Sequence, residues 1–160
     1  MAAAPIGIQR VLIPVDYSDQ ARRALEYAAD LAESFRASLD VVHCWDRPTF
    51  LPDNVFIERP GAPRRSLAEV LREDAEREMR EFLARCTLPA GIEITRHLIG
   101  GEPAATVLEL LKSGKYDVVV IGTRGQSGVR QFLLGSVAGR LVRLSPIPVI
   151  TIPPAGSKSD

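Results

Sequence analysis

Cysteine is scarce in this chain of 160 residues, which has only Cys44 and Cys86. The two have no metal-site spacing, which excludes a thiolate zinc cluster and leaves reduced thiols in a cytosol as the economical expectation. An excess of either charge is missing as well. Lys+Arg and Asp+Glu both number 20, so the formal net charge is zero. A nucleic-acid binder held by global electrostatics shows a basic surplus, so that class is set aside. A local anion site stays open, because backbone dipoles need no net charge. Long apolar runs are absent too. Stretches such as Val118–Ile121 are far too short to cross a bilayer, and Met1–Ile8 has no basic segment leading into an apolar core. Neither a membrane partner nor a secretory signal is therefore expected. No nucleophile–base pair, carboxylate cluster or metal-ligand spacing is visible, which argues against an enzyme.

What is present reads as one soluble globular domain over residues 1–160, with a core from about 8 to 153. Short apolar runs alternate with helical periodicities. Arg10–Val15, Leu39–Trp45, Ile92–Ile99, Asp117–Gly122 and Val149–Ile152 read as strands. Ser18 offers an N-cap for a helix through Phe35, with an apolar stripe of Ala21, Leu25, Ala28, Ala32 and Phe35. Ser66-Leu67-Ala68-Glu69 is a capping box for a second helix, with a stripe of Leu67, Leu71, Ala75, Met79, Phe82 and Cys86. The charged face of that helix reads as solvated and laced with pairs such as Glu73–Arg77 and Glu76–Arg80. Pro103 opens a third helix that stops at Gly114, and Ser136–Leu144 forms a fourth. Residues 46–65 form a long Pro-rich loop, and the tail from Pro153 is expected to be disordered. The order β-α-β-α-β-α-β-α-β predicts an α/β fold: a parallel sheet with helices on both faces. In such sheets ligands bind beyond the carboxyl ends of strands, where the strand order reverses. If the first and fourth strands flank that point, Asp16 and Gly122 are neighbours.

The run G-T-R-G-Q-S-G-V-R-Q-F-L-L-G-S spans residues 122–136, between the fourth strand and the fourth helix. A glycine-rich turn at a helix N-terminus can aim several N–H groups at an anion. A Cβ there would block both positive φ angles and the close approach of an oxygen. This is neither a P-loop, which needs G-x4-G-K-[ST], nor a Rossmann fingerprint, since Asp16-Tyr17-Ser18-Asp19 follows the first strand. A phosphate site and a purely structural turn are the two readings, and Gly135-Ser136 at the helix start favours the first. Asp16 is a ligand contact for ribose or an adenine amine, or a cap on the first helix, or both. Arg124 and Arg130 are phosphate partners or solvated surface groups. His43 and His97 are expected as packing histidines, and Cys44 as a small apolar residue near the site.

With these features in place, the chain resembles the universal stress protein family from Arg10 to Ile152. The resemblance rests on G-x2-G-x9-G-[ST] at Gly122, Gly125, Gly135 and Ser136. It also rests on R-V-L-I-P-V-D-Y-S-D, L-L-G-S-V-A-G-R-L-V-R and the closing S-P-I-P-V-I-T-I. It implies a five-stranded parallel sheet of strand order 3-2-1-4-5, like that of the adenine nucleotide alpha hydrolases. It implies ATP, or ADP or AMP, as ligand, with Mg or Mn held through the phosphates. By position, Asp16 would contact the nucleoside beside Pro14 and Val15. Cys44 falls where the family touches adenine through its backbone. Ile121, Gly122, Gly125, Gly135, Ser136 and Val137 would surround ribose and phosphates, with Arg124 standing where many members have His. The family commonly dimerises through its last strand, here Val149–Ile152, a short apolar edge that needs cover. The expected role is that of a cytoplasmic, homodimeric regulator or sensor in a stress response. A weak ATPase and an interaction-only member that binds no nucleotide are the alternatives. A nucleotide-dependent transferase is disfavoured, because no S-G-G-x-D-S loop follows the first strand.

Overall fold

The computed structural model describes residues 7–45, 55–58, 60–61, 63–123 and 134–155. The elements in chain order are β1 (Arg10–Pro14), α1 (Asp19–Phe35), β2 (Ser38–Trp45), β3 (Phe56–Ile57), β4 (Arg65–Ser66), α2 (Leu67–Ala84), β5 (Ile94–Gly100), α3 (Pro103–Leu111), β6 (Val118–Gly122), α4 (Ser136–Leu144) and β7 (Val149–Ile152). Five strands form one parallel sheet in the order β5-β2-β1-β6-β7. Counted along the chain this is 3-2-1-4-5, as the resemblance implied. The order reverses between β1 and β6, so the ends of those strands open side by side.

Register decides which residues face which helices. Val11 pairs with Leu39, and Leu12 with Asp40. Side chains alternate along each strand, so Val11, Ile13, Leu39 and Val41 meet α1 and α2, whereas Leu12, Val42, Val119 and Ile121 meet α3 and α4. The inward face of α1 is almost all alanine: Ala21, Ala24, Ala28, Ala29 and Ala32 are buried with Leu25. Small side chains let this helix lie close over the sheet. Its start is set by Ser18, whose hydroxyl accepts the Ala21 N–H at 3.1 Å. The predicted capping box on α2 is present: Ser66 Oγ accepts from Glu69 N at 3.1 Å, and Glu69 Oε2 from Ser66 N at 2.9 Å.

Four expectations are corrected. Phe35 is exposed, because α1 ends there and Arg36 turns left-handed at φ 54°, rotating the last position off the core face. On α2, Ala75, Met79 and Phe82 are buried, but Leu67, Leu71 and Cys86 are only half-buried. Glu73 pairs with Arg65 rather than Arg77, and Glu76 with Arg72 rather than Arg80. Within the predicted loop 46–65, β3 and β4 pair as a short antiparallel ribbon. Residues 46–54 of that loop and 156–160 of the tail lie outside the described residues.

One polar group is buried in the sheet. Asp40, wholly inaccessible, accepts hydrogen bonds from Arg10 Nε (3.0 Å), His97 Nε2 (2.8 Å) and the Tyr116 hydroxyl (2.9 Å). His97 is thus a partner of a buried carboxylate rather than a mere packing residue.

The turn from β5 into α3 demands glycine at one position. Gly101 has φ +146°, and a Cβ there would stand 2.8 Å from Thr106 Oγ1. Its N–H is bonded to Trp45 O at 3.2 Å, so the turn is tied down. Gly101→Ala is expected to destabilise the fold by about 1–3 kcal/mol, measured by chemical denaturation; an unchanged midpoint would show that the turn yields freely.

Candidate functional site

At the reversal, a cavity of about 340 Å³ opens at the carboxyl ends of the strands. Each wall comes from a chain end that the fold leaves there. β1 contributes Pro14, Val15 and Asp16, and β2 contributes Cys44. β6 gives Ile121 and Gly122, and the start of α4 gives Gly135, Ser136 and Val137. These nine expected site residues come from four separate stretches of sequence and meet in one cavity. Arg124, Gly125 and Arg130 lie outside the described residues. Sequence reasoning missed Ala21, Val42, Pro103 and Ala138, which also line the cavity. Val42 was findable, since it alternates with Cys44 along β2 and shares its face.

Asp16 lines the cavity but does not cap α1, whose N-cap is Ser18. The Asp16 Oδ1 accepts from Ser18 N (3.1 Å) and Ser18 Oγ (2.5 Å), and Ser18 in turn caps α1. The carboxylate therefore fixes the strand-to-helix turn and lines the cavity at once. Tyr17, between them, sits at φ 63°, a left-handed conformation that disfavours a Cβ-bearing residue by roughly 1–2 kcal/mol. Its ring is held by stacking on His43 (centroids 4.1 Å apart) and leaning on Phe82 (5.3 Å). His43 Nδ1 lies 2.8 Å from Val15 O. A carbonyl only accepts, so Nδ1 carries the proton and donates. His43 is a packing histidine as expected, and it also locks the peptide that precedes Asp16.

The ladder alternation gives Cys44 its backbone role. In a parallel pair, alternate residues bond to opposite neighbours. Ser38 N bonds Gln9 O and Val42 O accepts from Val15 N, so the even residues of β2 face β1. Leu39 N bonds Glu93 O and Trp45 O accepts from Gly101 N, so the odd ones face β5. Cys44 thus directs its N–H and C=O toward β1, which has ended at Pro14. A donor and an acceptor stand side by side at the cavity. The Cys44 thiol is half-buried; burial pushes its pKa up to about 11, so it stays neutral.

At the opposite wall, α4 begins without a side-chain cap. Gly135 N donates to Thr123 O at 2.7 Å, clamping the helix start against the end of β6. Gly139 N donates to Gly135 O, so the N–H groups of the first turn, Ser136 to Ala138, have no acceptor within the helix. Their partial positive charge faces the cavity. Gly135 has φ −54°, and Gly122 is in extended strand conformation. At these two positions the backbone does not require glycine, which corrects the expectation of positive φ there; Gly125 lies outside the described residues. Glu102, the N-cap of α3 just before the cavity-lining Pro103, has its carboxyl held below the usual range by the N–H of Ala105, then that of Ala104, and by Arg140. The Arg140–Glu102 contact at 2.7 Å ties α4 to α3. Among the described residues no helix is long and apolar enough to cross a membrane, and no cluster of His, Cys, Asp and Glu is arranged to hold a metal ion.

An open parallel sheet with an amide pair on one side of its crevice and a bare helix N-terminus on the other defines a doubly wound α/β protein with a cavity at its strand reversal. The universal stress protein family profile matches residues 7–153. The chain belongs to that family. A universal stress protein of Thermus aquaticus is 33% identical over 143 residues, covering 89% of this chain and 96% of the relative. A solved universal stress protein in complex with cAMP is 25% identical, with TM-score 0.56 over 91% of this chain and 97% of that one. A solved protein of Methanocaldococcus jannaschii superposes with TM-score 0.71 over 95% of this chain and 100% of that one; at 19% identity it speaks for the fold alone.

Proposed function

We propose that this protein binds an adenine nucleotide, ATP in the first place, in the cavity at the strand reversal. The observation that carries this is the pairing of two unlike ends in one space. The Cys44 N–H and C=O match the acceptor N1 and donor N6 of adenine, and the α4 N-terminus matches a phosphate. Asp16, between them, matches ribose hydroxyls. Pro14, Val15, Ile121 and Val137 supply apolar walls, and Gly122, Gly135 and Ser136 the approach for phosphate oxygens. The cAMP bound by the related solved protein supports an adenine ligand. Hydrogen bonds to a charged group contribute roughly 1.5–3 kcal/mol each, so a few such contacts reach the ~8 kcal/mol of micromolar affinity. A divalent ion, Mg or Mn, would ride on the phosphates, with the Ser136 hydroxyl and Asp16 carboxylate as the oxygen donors at hand.

The protein acts as a homodimeric regulator in a stress response. β7 is the edge strand of the sheet beside β6, and Val142 and Leu144 on α4 are exposed. A two-fold pairing of β7 covers this apolar strip.

Small molecules released by denaturing the purified protein and identified by mass spectrometry test the reading. ATP, ADP or AMP is expected, with a micromolar Kd on titration of the emptied protein. An empty protein that shows no binding at millimolar ATP would favour a role through protein contacts alone.

A further inference from the structure

A second, larger hollow lies on the other face of the sheet. Helix α2 is seated by Ala75, Met79 and Phe82, while Leu67 and Leu71 in its first turns are only half-buried. The space between α2 and β5 is a groove of about 740 Å³. Its lining is amphipathic. Trp45, Leu98 and Met79 give an apolar floor, and Arg72, Arg80 and Arg96 give a cationic rim with one acid, Glu76. Arg72 and Glu76 neutralise each other at 3.0 Å. Arg80 and Arg96 are exposed and have no carboxylate partner among the described residues. On a chain of zero net charge this is, among the described residues, a local surplus of two cations beside a greasy floor. The volume lies in the range of small-molecule sites, not of a flat protein interface.

We propose that this groove binds a small amphiphilic anion: an acidic head, carboxylate or phosphate, on an acyl or aryl body. Arg80 on α2 and Arg96 on β5 hold the head from two sides, and guanidinium groups suit the planar carboxylate and the phosphate alike. The body lies along Leu98 and Met79 against the Trp45 indole. The site is separate from the nucleotide cavity. Successive residues of β2 point to opposite faces, so Cys44 and Trp45 serve different hollows. The proposal therefore stands whether or not ATP binds.

Trp45 is the one tryptophan in the chain and lines the groove, so its emission reports on binding there, with ATP competition separating it from the neighbouring cavity. The full chain is titrated with decanoate, decyl phosphate and uncharged decanol, with and without saturating ATP. A saturable change in Trp45 emission is expected with either or both anions, and the stronger of the two names the head group. Decanol and the Arg80→Ala/Arg96→Ala double variant are each expected to weaken binding about tenfold or more. Both arginines are exposed and form no ion pair among the described residues, so the variant keeps the fold, which circular dichroism checks. No saturable change with either anion overturns the proposal. So does decanol binding as tightly as the anions, an unaffected double variant, or displacement of the anion by ATP, which would place it in the nucleotide cavity.

Discussion

In the Gly122→Val variant, ATP affinity is expected to fall by about 100-fold or more, the equivalent of roughly 2.7 kcal/mol, while the fold stays in place. Gly122 ends β6 in extended conformation, paired with Ile152. A β-branched residue is at home in a strand, so the backbone accepts the change. Alternation along β6 puts the added side chain on the α1 face with Val118 and Val120, where Ala21 of α1 also lines the cavity, so it narrows the cavity from that wall. That cavity of about 340 Å³ has little room to lose. Gly122→Ala adds one carbon and should fall between wild type and valine. Isothermal titration reads the affinity, and thermal unfolding monitored by circular dichroism reads the fold. Wild-type affinity in Gly122→Val would remove the nucleotide from this cavity. A collapse in Tm would mean that the glycine serves β6 rather than a ligand.

The parts of this architecture that were legible in sequence are those that repeat locally. α4 was read at Ser136–Leu144 and lies there, because a glycine-serine start and a following proline bound it on both sides. β7 likewise lies at Val149–Ile152. The cavity was legible because glycines, Asp16 and Cys44 all fall at strand or helix ends, and a parallel α/β order brings such ends to one edge. What stayed hidden depends on contacts far apart in the chain. Asp40 in L-D-V-V-H-C-W reads as an ordinary polar interruption. Its three partners, Arg10, His97 and Tyr116, are 30, 57 and 76 residues away, and no periodicity connects them. A carboxylate and a histidine in the middle of two apolar strands were the available signal. The β3–β4 ribbon is two residues deep, below any pattern that alternation can reveal. Phe35 misled because its spacing fits the stripe, but it is the last residue of α1 and stands exposed at the helix end. The groove under α2 was invisible for a related reason. The stripe predicts contact along the whole helix, whereas the stripe positions that are fully buried begin only at Ala75, followed by Met79 and Phe82.

Asp40→Asn is expected to lower stability by about 3 kcal/mol, or roughly 10 °C in Tm, at neutral pH. Three donors converge on a carboxylate that has no access to water. An amide of the same shape offers one acceptor oxygen and turns an N–H₂ toward a donor, leaving buried hydrogen-bonding groups unmatched. Tyr116 cannot relieve this, because it is buried and its hydroxyl stays protonated, pushed up to about 12 by burial and then by Asp40. The acid limb gives an independent signature. Burial alone would raise the Asp40 pKa, but the hydrogen bonds from Arg10, His97 and Tyr116, with the Arg10 charge, outweigh it and hold the carboxyl below its usual value. A depressed folded pKa means that the stabilisation is complete above the unfolded value of about 3.9 and is lost as pH falls through the lower folded one. The gap between wild type and Asp40→Asn should therefore be constant above about pH 5 and narrow below about pH 4. ATP affinity in the folded variant should not change, since the cluster lies on β2 before the cavity-lining Val42 and Cys44, with Arg10 at the opposite end of β1 from Pro14. Denaturant melts across pH 2.5–7, with ATP titration at pH 7, check each part. A gap that persists unchanged to the lowest pH would mean that Asp40 acts through packing shape and not through its charge.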